Sequence, residues 1–358
     1  MSNGKVMVAM SGGVDSSVAA ALLKERGWEV IGVSMQLWDH SVEEDAAGAG
    51  AGSCCSLDDL YDARRVAHAL GIPYYVMNLE REFRSAVVDY FVESYAAGAT
   101  PNPCIKCNEV MKFRVLLRKA RAMGIGLLAT GHYARIAPGP RGPRLLRGVD
   151  GRKDQSYFLF TMTADELSSV LFPIGGMTKD EVRAEARRLG LGTSEKAESQ
   201  EICFIPRGGR GDFLAGRIGG GGGEIVDTAG RVLGRHRGLY RYTVGQRRGL
   251  DLPDGPYYVV EIDSGADRLV VGRSEELLAR GLTAGRVNWI NGAAAEGELT
   301  AKIRYRHGGV ACRVERLGAD RVSVDFARPQ RAVAPGQAVV FYSGDEVVGG
   351  GWIEEALR

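Results

Sequence analysis

Ser11-Gly12-Gly13-Val14-Asp15-Ser16-Ser17 lies between an apolar run, Val6 to Met10, and a helical stretch that runs from Ser16 to Arg26 and stops at Gly27. A buried strand that turns at once into a helix constrains both fold and chemistry. Two glycines let the backbone approach a ligand and take conformations that other residues avoid. The helix start supplies free N–H groups and the positive end of the macrodipole, which together make an anion site. The hydroxyls of Ser11, Ser16 and Ser17 add donors for phosphate oxygens. Asp15 would repel a bare phosphate, and a bridging Mg²⁺ accounts for its presence. A Walker loop would place a lysine on the terminal phosphates, and no lysine stands between Ser11 and Ser17.

The same strand–helix rhythm continues. Val30 to Met35, Tyr74 to Met77 and Leu127 to Thr130 read as strands. Asp58 to Leu70, Glu82 to Ala96 and Asn108 to Met123 read as helices, and Thr178-Lys179-Asp180-Glu181 has capping-box spacing before a helix to Leu189. Strands alternating with helices predict a parallel sheet covered on both faces, with ligands beyond the carboxyl ends of its strands. The segment 45–56, rich in Ala and Gly and carrying Cys54-Cys55, is expected to be a mobile loop. Near residue 205 the pattern changes. Gly219 to Gly223 reads as linker or loop, and short strands with frequent turns follow, among them 224–226, 257–260, 269–271, 322–324 and 338–341. The expected fold class is therefore α/β: a Rossmann-like nucleotide-binding domain over 1–205, a small central module over 206–280 and a C-terminal β-barrel over 281–358. A chain of 358 residues has room for such a division.

A formal net charge of +2 says little about partners. No stretch nears 18 uninterrupted apolar residues and no secretory signal is visible, so the expectation is a cytoplasmic protein with no membrane contact. Six cysteines in so long a chain are too few for a disulfide framework. Cys104-Ile105-Lys106-Cys107 can be half a zinc site or a redox pair, but Cys54-Cys55, Cys203 and Cys312 supply no clean second half, and no metal ligand set is expected. Cys107 falls where the Asn108 helix is expected to start, beside Lys106 and Lys112, and a thiolate is favoured there. Cys203, far away in sequence, is a second thiol that can fold back over the same site. Two such thiols with a phosphate loop suggest sulfur transfer, with one carrying a persulfide and the other completing the exchange as a disulfide.

Ser-Gly-Gly-x-Asp-Ser resembles the PP-loop of the ATP pyrophosphatases, which split ATP between the α and β phosphates and usually adenylate a carbonyl oxygen. Thr100 to Asn108, Ala129 to Tyr133, Lys153 to Phe158, Ser199 to Phe204, Thr243 to Leu250 and Pro335 to Val339 look like the signature blocks of the bacterial tRNA-specific 2-thiouridylases. The resemblance runs in order from Met7 to Trp352. It implies ATP-dependent 2-thiolation of the wobble uridine, U34, of tRNA through an adenylated uridine and a cysteine persulfide. It implies catalytic roles for Cys107 as nucleophile, Cys203 as persulfide bearer and Asp15, and an ATP site at Ala9, Met10, Ser11, Gly12, Gly13, Val14, Asp15, Ser16, Met35 and Gly131, with Mg²⁺. Asn102, Pro103 and Cys104 match positions at the target base, and His132, Lys153, Asp154, Gln155, Arg304, Tyr305 and Gln337 match positions at the tRNA. The family has aspartate more often at Cys104, which leaves an adventitious Cys104–Cys107 disulfide open. The implied partners are tRNAs of the Lys, Glu and Gln type and a cysteine desulfurase or sulfur-relay protein.

Arg231 to Leu250 holds six arginines and one histidine with no acidic residue, interleaved with Tyr240 and Tyr242, and Ile303 to His307 is a second basic-aromatic run. Both suit phosphate contact and base stacking. Two other readings stay open on sequence. An ammonia-using PP-loop synthetase would not need Cys107 and Cys203. A non-catalytic RNA-binding protein with a relic loop would turn over no ATP.

Overall fold

Val6, Met7 and Val8 are fully buried, and they form the middle of a five-stranded parallel sheet. The computed structural model describes residues 3–38, 57–196, 202–205, 209–219, 221–292 and 298–358. The loop 45–56 with Cys54-Cys55, and Ser199-Gln200-Glu201, lie outside the described residues. The sheet is built from β1 (Lys5–Ala9), β2 (Glu29–Gln36), β3 (Tyr74–Asn78), β4 (Leu127–Ala129) and, separated from β4 by the hairpin strands β5 (Ala134–Ala137) and β6 (Arg144–Arg147), β7 (Val170–Leu171). Its order is β3-β2-β1-β4-β7, so the chain steps outward from β1 on one side and returns on the other. The reversal lies between β1 and β4, where Val6 pairs with both Val30 and Leu127. Sheets of this kind bind ligands at that point.

Helices cover both faces, as the alternating pattern predicts. Helix α1 (Val14–Glu25) and α2 (Leu57–Ala69) join the helix Lys179–Arg188 on one side, through Val18, Ala19, Val66, Val182 and Ala186. A long helix over 103–122 packs Ile105, Phe113, Leu116 and Leu117 on the other. The expected start at Asn108 is corrected to Pro103. The Asn102 side chain accepts from the Ile105 N–H at 3.3 Å, and a proline in the first turn has no N–H to leave unsatisfied. From Cys107 to Leu116 the helix widens to π-type turns, a form that recurs at functional sites.

The middle module is a four-stranded sheet of β8 (Glu224–Asp227), β9 (Val232–Arg235), β10 (Tyr258–Asp263) and β11 (Arg268–Gly272). The glycine run before it is more than a linker. A side chain on Gly222 would strike the His236 carbonyl, and one on Gly223 would strike that of Asp267. His236 itself is buried, and its Nδ1 accepts from the Gly223 and Gly238 N–H groups.

The last six strands are β12 (Leu278–Trp289), β13 (Leu299–Lys302), β14 (Val310–Arg316), β15 (Val322–Arg331), β16 (Ala338–Ser343) and β17 (Glu346–Leu357). They run β12-β15-β14-β13-β16-β17 and close because β12 also pairs with β17. This is the expected barrel. The expected division at residue 280 falls just inside β12, which pairs from Leu278. The hairpin of β5 and β6, around the loop 138–143, adds to the barrel through Leu145 opposite Val347. One apolar cluster accordingly holds Met7, Ile105 and Leu145 together with Ala338, Tyr342 and Trp352.

A tight joint fastens the barrel beside the long helix. The Thr100 N–H donates to the Pro335 carbonyl at 2.8 Å, and Gln337 Nε2 donates to the Thr100 carbonyl at 2.9 Å. Gly336 takes φ +86, and a Cβ there would sit 2.9 Å from the Thr100 nitrogen. Gly336→Ala is expected to cost about 1–3 kcal/mol through strain and overlap. Scanning calorimetry should show a melting temperature several degrees lower, and an unchanged value would contradict the joint.

Candidate active site at the phosphate loop and the paired cysteines

The phosphate loop begins where β1 ends. The Met10 N–H donates to the Val33 carbonyl at 2.8 Å, and Ser34 Oγ donates to the Met10 carbonyl at 2.6 Å. Gly12 then turns with φ +73, and a Cβ there would strike the Asp59 backbone of α2. Gly13 is the N-cap of α1, and no side chain caps that helix. The helices that start after Thr163 and Thr178 both carry complete capping boxes. The first-turn N–H groups of α1 are therefore left to a ligand. Ser16 Oγ and Ser17 Oγ donate to the Gly13 carbonyl at 3.2 and 2.9 Å, so these two hydroxyls shape the loop. Ser11 is exposed, with its Oγ 3.3 Å from Ser16 Oγ. Gly131, after β4, packs so closely that a Cβ would lie 2.7 Å from the Ser16 nitrogen. Loop and Gly131 meet at the topological switch. Ala9 and Met35 lie at the edge of the cluster on the sheet face that the 103–122 helix covers.

Asp15 is held by two groups that the sequence did not reveal. Lys179 Nζ lies 2.8 and 2.9 Å from its two carboxylate oxygens, and Tyr133 donates its hydroxyl to Oδ1 at 2.7 Å. Lys179 is buried at 5% exposure, and its own N–H donates to Asp150 Oδ2 at 3.1 Å. The pair balances a carboxylate beside an anion site. Among the described residues no group of three or more His, Cys, Asp or Glu is placed to hold a metal. Mg²⁺ needs only one or two carboxylates when phosphates supply the rest. Asp15 fits an ion that arrives on a nucleotide, since a carboxylate offers more acceptor sites than Lys179 and Tyr133 fill.

Cys107 lies at the end of the first turn of its helix and begins the π-type stretch. Cys104, exposed, occupies the first turn and lies nearer the positive end of the macrodipole. The two expected neighbouring cations have partners of their own. Lys106 pairs with Glu109 at 3.0 Å, and Lys112 Nζ lies 3.5 Å from His132 Nε2. Cys107 and Cys203 border one apolar cluster that contains Phe83, Phe91, Phe204 and Phe213, and Met35 packs on the same cluster. Phe204 meets Phe83, Phe91 and Phe213 at ring separations of 5.6, 5.3 and 5.6 Å. The residue next to Cys203 is thus the anchor that brings its segment alongside the Cys107 helix.

The residues expected at tRNA fall into two sets. Arg304 is exposed, and Lys153, Gln155, Tyr305 and Gln337 are half-buried. Tyr305 packs on Phe158 with ring centroids 4.6 Å apart, and Gln155 Oε1 accepts from the Tyr133 N–H at 3.0 Å. His132 and Asp154 are buried. Burial, with Lys112 adding to it, holds His132 well below the usual histidine range, so its ring is neutral. Lysine can only donate to Nε2, which leaves Nδ1 to donate to Thr130 Oγ1 at 2.6 Å. Asp154 Oδ1 accepts from the Gly148 and Ser156 N–H groups. Asn102 caps the helix, Pro103 is buried and Cys104 is exposed.

In the basic run, Arg231, Arg235, Arg237, Arg247 and Arg248 are exposed. Tyr240 and Tyr242 are buried in two apolar clusters, which corrects their expected role as stacking platforms. The arginines alternate with core residues because the segment threads between a cluster and solvent. No helix among the described residues is long and apolar enough to cross a membrane.

Three family models match the chain: the tRNA methyl transferase HUP domain over residues 4–207, the tRNA methyl transferase PRC-barrel domain over 211–273 and the aminomethyltransferase beta-barrel domain over 279–353. Two curated relatives carry the name tRNA-specific 2-thiouridylase MnmA. The one from Geobacter metallireducens is 57% identical over 99% of this chain and 97% of its own. The one from Geotalea uraniireducens is 52% identical over 99% of this chain and 96% of its own.

Proposed function

The chain belongs to the tRNA-specific 2-thiouridylase family and thiolates a tRNA uridine at the expense of ATP, and we propose that the target is the wobble uridine, U34, thiolated at C2. The observation that supports the mechanism is that Cys107, Cys203 and Met35 all pack against one apolar cluster.

ATP is the adenylating substrate. The uncapped start of α1 receives its phosphates, Ser11 adds a hydroxyl, and Gly12 and Gly131 let backbone come close. Asp15 is the residue that would hold Mg²⁺, which supplies charge neutralisation at the phosphates. Lys179 keeps that carboxylate balanced until then. The uracil O2 attacks the α phosphate and pyrophosphate departs, which converts a poor leaving oxygen into a good one. The terminal sulfur of a Cys203 persulfide bonds to C2, and AMP leaves with the oxygen. Cys107 attacks the Cys203 sulfur, the electron pair of the S–S bond passes to the sulfur on the base, and a Cys107–Cys203 disulfide remains. Arg304, Lys153 and the exposed arginines of 231–248 support a phosphate-binding face, and the exposed Cys104 with Asn102 and Pro103 supports contact at an unstacked base. tRNAs of the Lys, Glu and Gln type are the proposed substrates. A cysteine desulfurase or a relay protein is the proposed sulfur source.

The test is nucleoside mass spectrometry of unmodified tRNA incubated with the protein, MgATP and a persulfide donor. A 2-thiouridine product at the wobble position, dependent on ATP and on Cys203, is expected. A methylated nucleoside, or uridine left unchanged, would overturn the proposal.

A further inference from the structure

Sulfur transfer through Cys107 and Cys203 leaves these two half-buried thiols joined beside a cluster of phenylalanines, where a reducing protein has poor access. A third thiol stands next to them. Cys104 and Cys107 are three residues apart in one helix, and helical geometry sets their Cα atoms about 5 Å apart. That separation is inside the range disulfides span, about 4.4–6.8 Å. Cys104 is exposed where Cys107 and Cys203 are not. It also occupies the first turn of a helix that runs over 103–122, behind the Asn102 cap and Pro103.

We propose that Cys104 is the resolving thiol, and this rests on the sulfur-transfer reading above. Its thiolate attacks the Cys107 sulfur of the Cys107–Cys203 disulfide. The new Cys104–Cys107 bond forms as the old S–S bond breaks, and its electron pair leaves on Cys203 as a thiolate. The exchange needs no outside oxidant or reductant. Cys203 is freed to accept the next persulfide, and the oxidising equivalents move to a pair with one sulfur in solvent. A dithiol reductant, such as dithiothreitol or a dithiol protein, then reduces that pair and is itself oxidised to a disulfide.

The experiment traps the enzyme during multiple turnovers with limiting dithiothreitol. It alkylates remaining thiols at low pH and maps disulfides by non-reducing peptide mass spectrometry. Wild type should accumulate Cys104–Cys107, and Cys104→Ser should accumulate Cys107–Cys203. The ratio of steady-state to first-turnover thiolation rate should fall about tenfold or more in Cys104→Ser. Wild type that holds Cys107–Cys203 with Cys104 alkylated would overturn this inference and leave the sulfur-transfer reading standing. Thiolated tRNA forming with neither Cys107 nor Cys203 in any disulfide would overturn both.

Discussion

Lys179→Met should lower stability by about 2–3 kcal/mol and weaken ATP binding roughly a hundredfold. Removing one partner of a buried ion pair typically costs about 3–5 kcal/mol. The smaller figure applies because the Asp15 side chain keeps 30% exposure against 6% for Lys179, and water can reach the orphaned carboxylate. The effect on ATP has a separate origin. Without the ammonium, Asp15 presents an unbalanced negative charge at a phosphate site, with the Tyr133 hydroxyl still donating to it. Asp15→Asn combined with Lys179→Met separates the two effects. The double variant should recover most of the lost stability, since both charges are gone, and should not recover ATP turnover. Chemical denaturation and isothermal titration calorimetry read the two arms. A single variant with wild-type ATP affinity would show that Lys179 is only structural.

Cys107→Ser should reduce 2-thiouridine formation by roughly a thousandfold or more, about 4 kcal/mol in barrier height. Serine preserves size and loses the sulfur nucleophile, so the fall should lie in sulfur release. Cys203→Ser should fall as far, and the double variant hardly further, because residues that act on one bond are not additive. Pyrophosphate release and nucleoside analysis in one reaction show where the loss falls. A Cys107→Ser protein that thiolates within tenfold of wild type would remove Cys107 from the chemistry.

The phosphate loop was legible because its meaning is local: strand, glycines, helix start and hydroxyls are contiguous. The parallel sheet followed from periodicity, except that Val170–Leu171 is too short to show any. Lys179 was hidden because its partner lies far away in sequence. One signal did exist: a lysine in the first turn stands at the wrong end of the helix dipole, and such local conflicts mark functional places. The Asn102-Pro103 pair likewise held the true helix start, in the form of a cap and a first-turn proline. Tyr240 and Tyr242 misled because charge patterning says which residues are wet and nothing of which aromatics between them turn inward. Gln337, expected at the tRNA, also donates to the Thr100 carbonyl, a partner too far away in sequence to be read from it.

The apolar cluster that joins Met7, Ile105 and Leu145 to Ala338, Tyr342 and Trp352 has a consequence for how the protein is made. Chains emerge from the ribosome in order, and an early domain usually completes its interior before the next appears. Here the first domain lacks part of its interior until residues 338–352 have been synthesised. Its sheet is complete by residue 171, but the face that the 103–122 helix covers waits for the barrel to arrive. Completion of that face, where Ala9 and Met35 pack, is in this way tied to the module most distant from it in translation.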